Sequence, residues 1–186
     1  MEKKLIIIIG GNRVGNYETF APIVNELKIT CNYETLTIFQ SKSLYKKILQ
    51  NKILTKVYLS HFNSFFNYGV FSFFHNSKLI ISCFIKILKY QKVSMITNRN
   101  FSSFLSRIFI FFLKKLKVET YYTKSFCRAP TNNLRSLLGG KSSIRPSNEL
   151  CSYALIPSLE HRIEYGLLGY KLNQFVVTGY PKFYPS

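Results

Sequence analysis

The chain has 186 residues, 47% of them hydrophobic, enough for one α/β domain and too few for two full α/β halves. Lys and Arg total 26 against 8 acidic residues, a formal charge of +18, so an anionic partner is expected: nucleic acid, a phosphorylated substrate or an acidic membrane face. Every acid is a Glu, and none is paired as in the DxD or DxE motifs that hold a catalytic cation, which excludes a metal-dependent site from the expectations; no other cofactor is expected. Cys31, Cys83, Cys127 and Cys151 are widely spaced with no CxxC pair, so zinc is not expected either. Met1-Glu-Lys-Lys4 leads straight into an apolar run without a signal-peptide pattern, and free thiols in a reducing cytoplasm are the expectation.

Leu5 to Ile9 is a continuous apolar run, rich in Ile and too short to span a membrane. Without polar alternation it predicts a strand buried on both faces, the central parallel strand of a sheet. Gly10, Gly11 and Gly15 punctuate the following turn, which contains Arg13, and Phe20, Ile23, Val24 and Leu27 then recur at helical spacing. Strand, glycine-rich turn and helix make the first half of a βαβ unit, whose ligands bind beyond the carboxyl ends of the strands. The three glycines would let a phosphate or sugar approach closely, with Arg13 as an anion clamp; the alternative is a plain turn with a solvated Arg. The spacing matches neither GxGxxG nor GxxxxGK(S/T). Glu18 is a candidate base, although a place in the first helical turn suits a helix-dipole role.

Glu34 to Gln40 predicts a second strand, and Ser41 caps a helix running to Leu49. Lys56 to Ser60 predicts a third strand. His61 follows it and is the preferred general base, because imidazole titrates near neutral pH; a structural His is the alternative. From His61 to Asn76 there are six Phe and no charged residue. Asn63, Ser64, Asn67 and Asn76 interrupt any transmembrane pattern, leaving two readings: a loop and helix that tuck rings into the core, or an aromatic surface that meets lipid or a lipid-linked acceptor.

A helix over Lys78–Gln91 and a fourth strand over Val93–Thr97 follow. Asn98 and Arg99 come just after that strand, at the same edge as the glycine turn, and are candidates for contacts to a sugar hydroxyl or phosphate; helix capping by Asn98 or Asn100 is the alternative. The helix Phe101–Lys117 passes from the apolar run Ile108–Leu113 to Lys114, Lys115 and Lys117. Those cations offset the helix dipole, and an apolar face with a basic end also suits an anionic membrane surface. Val118–Thr123 predicts a fifth strand, and Lys124–Glu149, with its Pro, Gly and Asn, an irregular excursion. Arg128, Arg135, Lys141 and Arg145 could contact phosphates there, but no helix-turn-helix, RNP or zinc pattern accompanies them, and nucleic acid is not the expected partner. Ser152–Pro157 predicts a strand, Pro157 or Ser158 opens a helix to Leu168 in which His161 and Glu164 read as a surface pair, and Gln174–Thr178 predicts the last strand.

Two stretches carry a resemblance. Leu155-IPSLEHRIEYGLLGYKLNQFVVTGYPK-Phe183 is similar to the middle of GT-B glycosyltransferases and their relatives in bacterial surface-polysaccharide synthesis, where a strand ends in a (V/T)G(Y/N)PK(F/Y)D-like turn. The opening resembles the GTRPE(x)nAPVVKEL start of the non-hydrolysing UDP-N-acetylglucosamine 2-epimerases, carried by Gly10, Arg13, Ala21, Pro22, Glu26 and Leu27, with one extra residue between Arg13 and Ala21.

The resemblance implies an α/β, Rossmann-like lobe with a mostly parallel central sheet flanked by helices, half of a GT-B architecture. Residues 1–178 would be the N-terminal, acceptor-side lobe, and 179–186, with Gly179, Tyr180, Pro181 and Lys182, the start of the interlobe linker. It further implies a nucleotide-sugar or CDP-glycerol-like donor held by an absent lobe or separate subunit, a glycan or lipid-linked acceptor, and no catalysis by this half alone. The expected location is the cytoplasm, with peripheral contact at the inner face of the plasma membrane. The sequence departs from the epimerase pattern where Met95-ITNR-Asn100 stands in place of a GDT-type motif and Val118-ETYYTKSFC-Arg128 in place of HxEAGxR. An epimerase-like half and a noncatalytic subunit that recruits a partner to the membrane are the alternatives.

Overall fold

Five consecutive apolar side chains can be covered only by protein on both sides, and they sit at the centre of the sheet. The structure is a computed structural model that describes residues 3–11, 13–39, 41–58, 63–65, 72–98, 104–123, 151–156, 158–167 and 172–179. In chain order the elements are β1 (Lys4–Ile9), α1 (Val14–Cys31), β2 (Tyr33–Phe39), α2 (Lys42–Gln50), α3 (Lys52–Tyr58), β3 (Asn63–Phe65) and α4 (Ser72–Ile87). There follow β4 (Lys92–Thr97), α5 (Phe104–Lys115), β5 (Glu119–Thr123), β6 (Tyr153–Ile156), α6 (Leu159–Leu167), a short 3-10 turn (Leu172–Gln174) and β7 (Phe175–Val177).

Among the described residues the strands form one seven-stranded sheet in the order β3-β2-β1-β4-β5-β6-β7. Every neighbouring pair is parallel, as the α/β Rossmann-like expectation requires. β1 pairs with β2 from Lys4↔Tyr33 to Ile9↔Ile38 and with β4 from Lys4↔Lys92 to Ile9↔Thr97. The strand order reverses between β1 and β4, so their carboxyl ends bound the topological switch point, where open α/β sheets bind ligands.

Strand periodicity divides β1 between two cores. Leu5, Ile7 and Ile9 pack with Cys83 and Ile87 of α4 and with Phe109, Ile110 and Leu113 of α5. Ile6 and Ile8 pack on the other face with Tyr17, Phe20, Ala21 and Val24 of α1, Leu44 and Ile48 of α2, and Leu54, Val57 and Tyr58 of α3. Burying each of these large side chains contributes about 1.5–3 kcal/mol, and β1 carries five of them at no more than 2% exposure.

Helix ends follow their capping chemistry. Ser41 Oγ accepts from Leu44 N at 3.2 Å, as the sequence predicts. Asn32, at φ 54°, ends α1 in the left-handed conformation that Asn tolerates, and its N–H donates to Leu27 O.

The third strand does not lie where the sequence places it. Residues through Tyr58 belong to α3, and β3 is Asn63–Phe65, paired with Thr37–Phe39. Asn51 decides this: its Oδ1 accepts from Ile53 N at 3.1 Å and Leu54 N at 3.2 Å and starts a helix. Leu54, Val57 and Tyr58 then fall on one buried helical face. Lys28 Nζ donates to the Lys56 and Val57 carbonyls, each at 3.1 Å, and satisfies the helix's far end. α4 also starts six residues earlier than Lys78. The excursion Lys124–Glu149 lies outside the described residues. Among the described residues, no helix is long and apolar enough to cross a membrane.

Candidate functional site

The β1 and β4 ends are joined by side chains as well as by the ladder. Thr97 Oγ1 donates to Ile9 O at 2.8 Å. One residue beyond β4, Asn98 Oδ1 accepts from the Gly11 amide at 2.7 Å. This bond spans the switch point and holds the first loop against the neighbouring strand. It uses the oxygen of the Asn98 amide and leaves its nitrogen as the donor that a ligand oxygen could meet.

Packing explains why the loop begins with two glycines. A Cβ on Gly10 would lie 2.5 Å from Cζ of Tyr17, and one on Gly11 would lie 2.3 Å from Nδ2 of Asn16. The Tyr17 ring is fully buried, stacked on Phe39 at 5.5 Å and edge-on to Tyr58 at 5.4 Å. Tyr58 Oη donates in turn to the Tyr17 carbonyl. Burial raises the Tyr58 pKa well above the usual tyrosine value, with Tyr17 and Glu18 adding to the effect, so this hydroxyl stays protonated as a donor. The aromatic cluster is a firm floor beneath Gly10.

Arg13 is the residue before α1, with an extended backbone (φ −132°, ψ 141°), and its side chain does not cap the helix. It is exposed, and no acid stands in the first turn of α1, so the guanidinium and the helix N-terminus present positive potential on the same side. Two expectations change here. Gly15 lies inside the first helical turn rather than in the loop, and Glu18 lies in the second turn, past the reach of a first-turn dipole role, because α1 already starts at Val14. Glu18 is exposed, with Oε2 3.7 Å from where a Gly15 Cβ would be.

Gly10, Gly11 and Asn98 therefore converge, with Arg13, Gly15 and Glu18 on the adjoining start of α1. Asn16, whose amide lies over Gly11, joins them. The sequence contains no pattern that singles it out. Gly179, at φ 74°, follows β7, the outermost strand on that side of the sheet. His61, Arg99, Tyr180, Pro181 and Lys182 lie outside the described residues.

His161 does not lie at the surface. It is only 6% exposed, and its Nδ1 lies 2.9 Å from Ser158 Oγ, which also donates to Glu160 Oε2 at 2.5 Å. Ser158 precedes α6, so the three residues organise the start of that helix beyond β6. The hydroxyl meets Nδ1 and the carboxylate meets the hydroxyl rather than the imidazole, an order that differs from a nucleophile–base–orienter relay. Among the described residues, no group of three or more His, Cys, Asp or Glu side chains could hold a metal ion.

No family model matches the sequence, and no curated protein matches it. Solved structures do match. UDP-GlcNAc 2-epimerase from Methanocaldococcus jannaschii, in complex with UDP-GlcNAc and UDP, superposes with a TM-score of 0.62 at 18% identity, covering 95% of this chain and 46% of that one. The S. aureus MnaA–UDP structure gives 0.60 at 16% identity, covering 96% and 45%. The Neisseria meningitidis UDP-GlcNAc 2-epimerase bound to UDP-GlcNAc gives 0.58 at 15%, covering 95% and 46%. The chain thus spans less than half the length of these proteins and has the α/β, GT-B-like fold of part of a UDP-GlcNAc 2-epimerase.

Proposed function

We propose that this chain is the N-terminal, acceptor-side half of a GT-B-type glycosyltransferase, or of a related glycerophosphate transferase, in surface-glycan synthesis. Residues 1–178 form the lobe and 179–186 begin the interlobe linker. The observation that carries the proposal is the Gly11–Asn98 bond at the switch point between β1 and β4. In this reading Asn98 and Asn16 orient a sugar hydroxyl, Arg13 meets a phosphate, and Gly10 and Gly11 keep the loop low enough for both. Arg99 serves beside Asn98, and His61 or Glu18 supplies any proton transfer. The nucleotide of a nucleotide-sugar or CDP-glycerol-like donor is held by a second lobe or subunit, and the acceptor is a glycan or lipid-linked.

A 2-epimerase-like half is the second reading, favoured by the named activity of the matching structures. Against it, β4 leads into Asn98 rather than an acid, so this strand end supplies no carboxylate base. Saturation-transfer NMR of the chain with UDP-GlcNAc tests the division of labour. Saturation is expected at the sugar protons and not at the uracil protons; saturation confined to uracil, or none at all, contradicts the proposal.

A further inference from the structure

A helix that packs on a sheet needs one apolar face, yet α4 and α5 carry more. α4 packs Cys83 and Ile87 inward; on its flank Ile81, Ile85 and Leu88 recur at helical spacing and are 58%, 57% and 73% exposed. α5 buries Phe109, Ile110 and Leu113, while Phe111, Phe112 and Leu116 are 57%, 48% and 40% exposed. The two sets join. Phe84 and Phe112 meet edge-on at 5.6 Å, Phe111 abuts Phe112 at 5.9 Å, and Leu88 and Leu116 line one groove of about 400 Å³. Six large apolar side chains in one exposed patch exceed the single exposed residues normal on a monomer's surface.

Cations accompany the patch. Lys78, Lys89, Lys92, Lys114, Lys115 and Lys117 are all exposed on or beside these two helices, and Lys115 Nζ stands 5.6 Å from the centre of the Phe111 ring. The carboxylates nearby are Glu34 and Glu119, bonded by the hydroxyls of Tyr90 at 2.5 Å and Tyr121 at 2.9 Å. Exposed lysines therefore outnumber carboxylates around the patch.

We propose that the outer face of α4 and α5 docks on an anionic lipid bilayer. The apolar side chains would sit at the boundary of headgroups and acyl chains, while lysine stems lie along them and ammonium groups reach the anionic headgroups. A second copy of the chain fits the charge poorly, because a two-fold contact would set this lysine rim against itself in a molecule of charge +18. Leu88 and Leu116 lie just before β4 and β5, at the amino edge of the sheet, while Gly11 and Asn98 lie at the carboxyl edge. The surface stands apart from the crevice, and the proposal does not depend on what the crevice binds.

The chain contains no Trp, so Leu88→Trp gives a single fluorescent reporter and Ile53→Trp, on α3 across the sheet, gives its control. With vesicles of phosphatidylglycerol and phosphatidylcholine, the Leu88→Trp emission is expected to shift to the blue and to be quenched by brominated acyl chains, while the Ile53→Trp emission is unchanged. The triple variant Ile81→Ser, Ile85→Ser, Leu88→Ser should lose vesicle binding by about tenfold or more with an unaltered melting temperature. Lys114→Glu, Lys115→Glu should lose the preference over pure phosphatidylcholine. Equal quenching at both reporters, undiminished binding by the triple variant, or a dimer abolished by that variant without any vesicle binding would each overturn the proposal.

Discussion

Gly11 N and Asn98 Oδ1, 87 positions apart in sequence, meet at 2.7 Å where the order of the sheet reverses. The bond holds the first loop against β4 and engages the oxygen of the Asn98 amide, leaving the nitrogen as a donor. Removing it should affect both stability and ligand binding.

Asn98→Ala leaves the half-buried Gly11 amide without its acceptor and is expected to cost about 1 kcal/mol. Asn98→Asp keeps an oxygen in place and should recover most of that loss. Urea denaturation of the three proteins checks this order, and equal midpoints for Ala and Asp would contradict it.

Gly10→Ala should be the more harmful of the two glycine substitutions. Its Cβ meets the Tyr17 ring, which is fixed by Phe39 and Tyr58, whereas a Cβ on Gly11 meets an Asn16 side chain that can rotate away. Overpacking of this kind costs about 1–3 kcal/mol. Thermal melting should show a clear loss for Gly10→Ala and a smaller one for Gly11→Ala.

The strands were legible where apolar residues clustered, although their order in the sheet was not. Leu5–Ile9 could be covered only inside a parallel sheet and lies there; the strand read over Val93–Thr97 pairs beside it, whereas the one read over Gln174–Thr178 is the outermost, with Val176 and Val177 exposed. Lys56–Ser60 misled because Val57 and Tyr58 suit a strand or a helical face equally, and the cap at Asn51 decided the matter. The site was legible in part. Gly10, Gly11 and Asn98 could be assigned to one edge from their positions after strands, but their hydrogen bond depends on register across the sheet, which no local pattern carries. Asn16 had no signal at all and owes its place to the early start of α1; the spacing of His161 and Glu164 suggested a surface pair and gave no sign that His161 is buried beside the hydroxyl of Ser158.

Lys28 is a structural cation. Its ammonium group caps the Lys56 and Val57 carbonyls of α3, and burial, followed by the nearby Lys56, lowers its pKa. Lys28→Met keeps the apolar stem and removes the donor. A loss of about 0.5–1.5 kcal/mol is expected, with hydrogen exchange quickening in α3 before the sheet.

Alkaline pH should weaken the fold through two tyrosines. Burial first, then the hydrogen bonds to Glu34 and Glu119, push Tyr90 and Tyr121 up to about 12. Because the folded values lie above the unfolded value of about 10, their stabilisation is complete below pH ~10 and is lost as pH rises toward ~12. Phenolate absorbance and denaturation midpoints followed over that window check this, and Tyr90→Phe with Tyr121→Phe should flatten the dependence.

Thiol reactivity should separate the cysteines. Burial pushes Cys83 up to about 12 and Cys151 up to about 11, and both are buried while Cys31 is partly exposed. In a Cys127→Ser variant at neutral pH, iodoacetamide should modify Cys31 first and reach the other two only on unfolding. Early modification of Cys83 would contradict the packing of α4.

The most direct measurement of the crevice at Gly11 and Asn98 is an amide-resolved NMR titration of the chain with UDP-GlcNAc. The Gly11, Asn16 and Asn98 amides should shift together along one saturable curve, and Asn98→Ala should abolish the response while the rest of the spectrum is retained. Shifts confined to residues away from the β1 and β4 ends, or an unchanged titration in Asn98→Ala, would contradict the site.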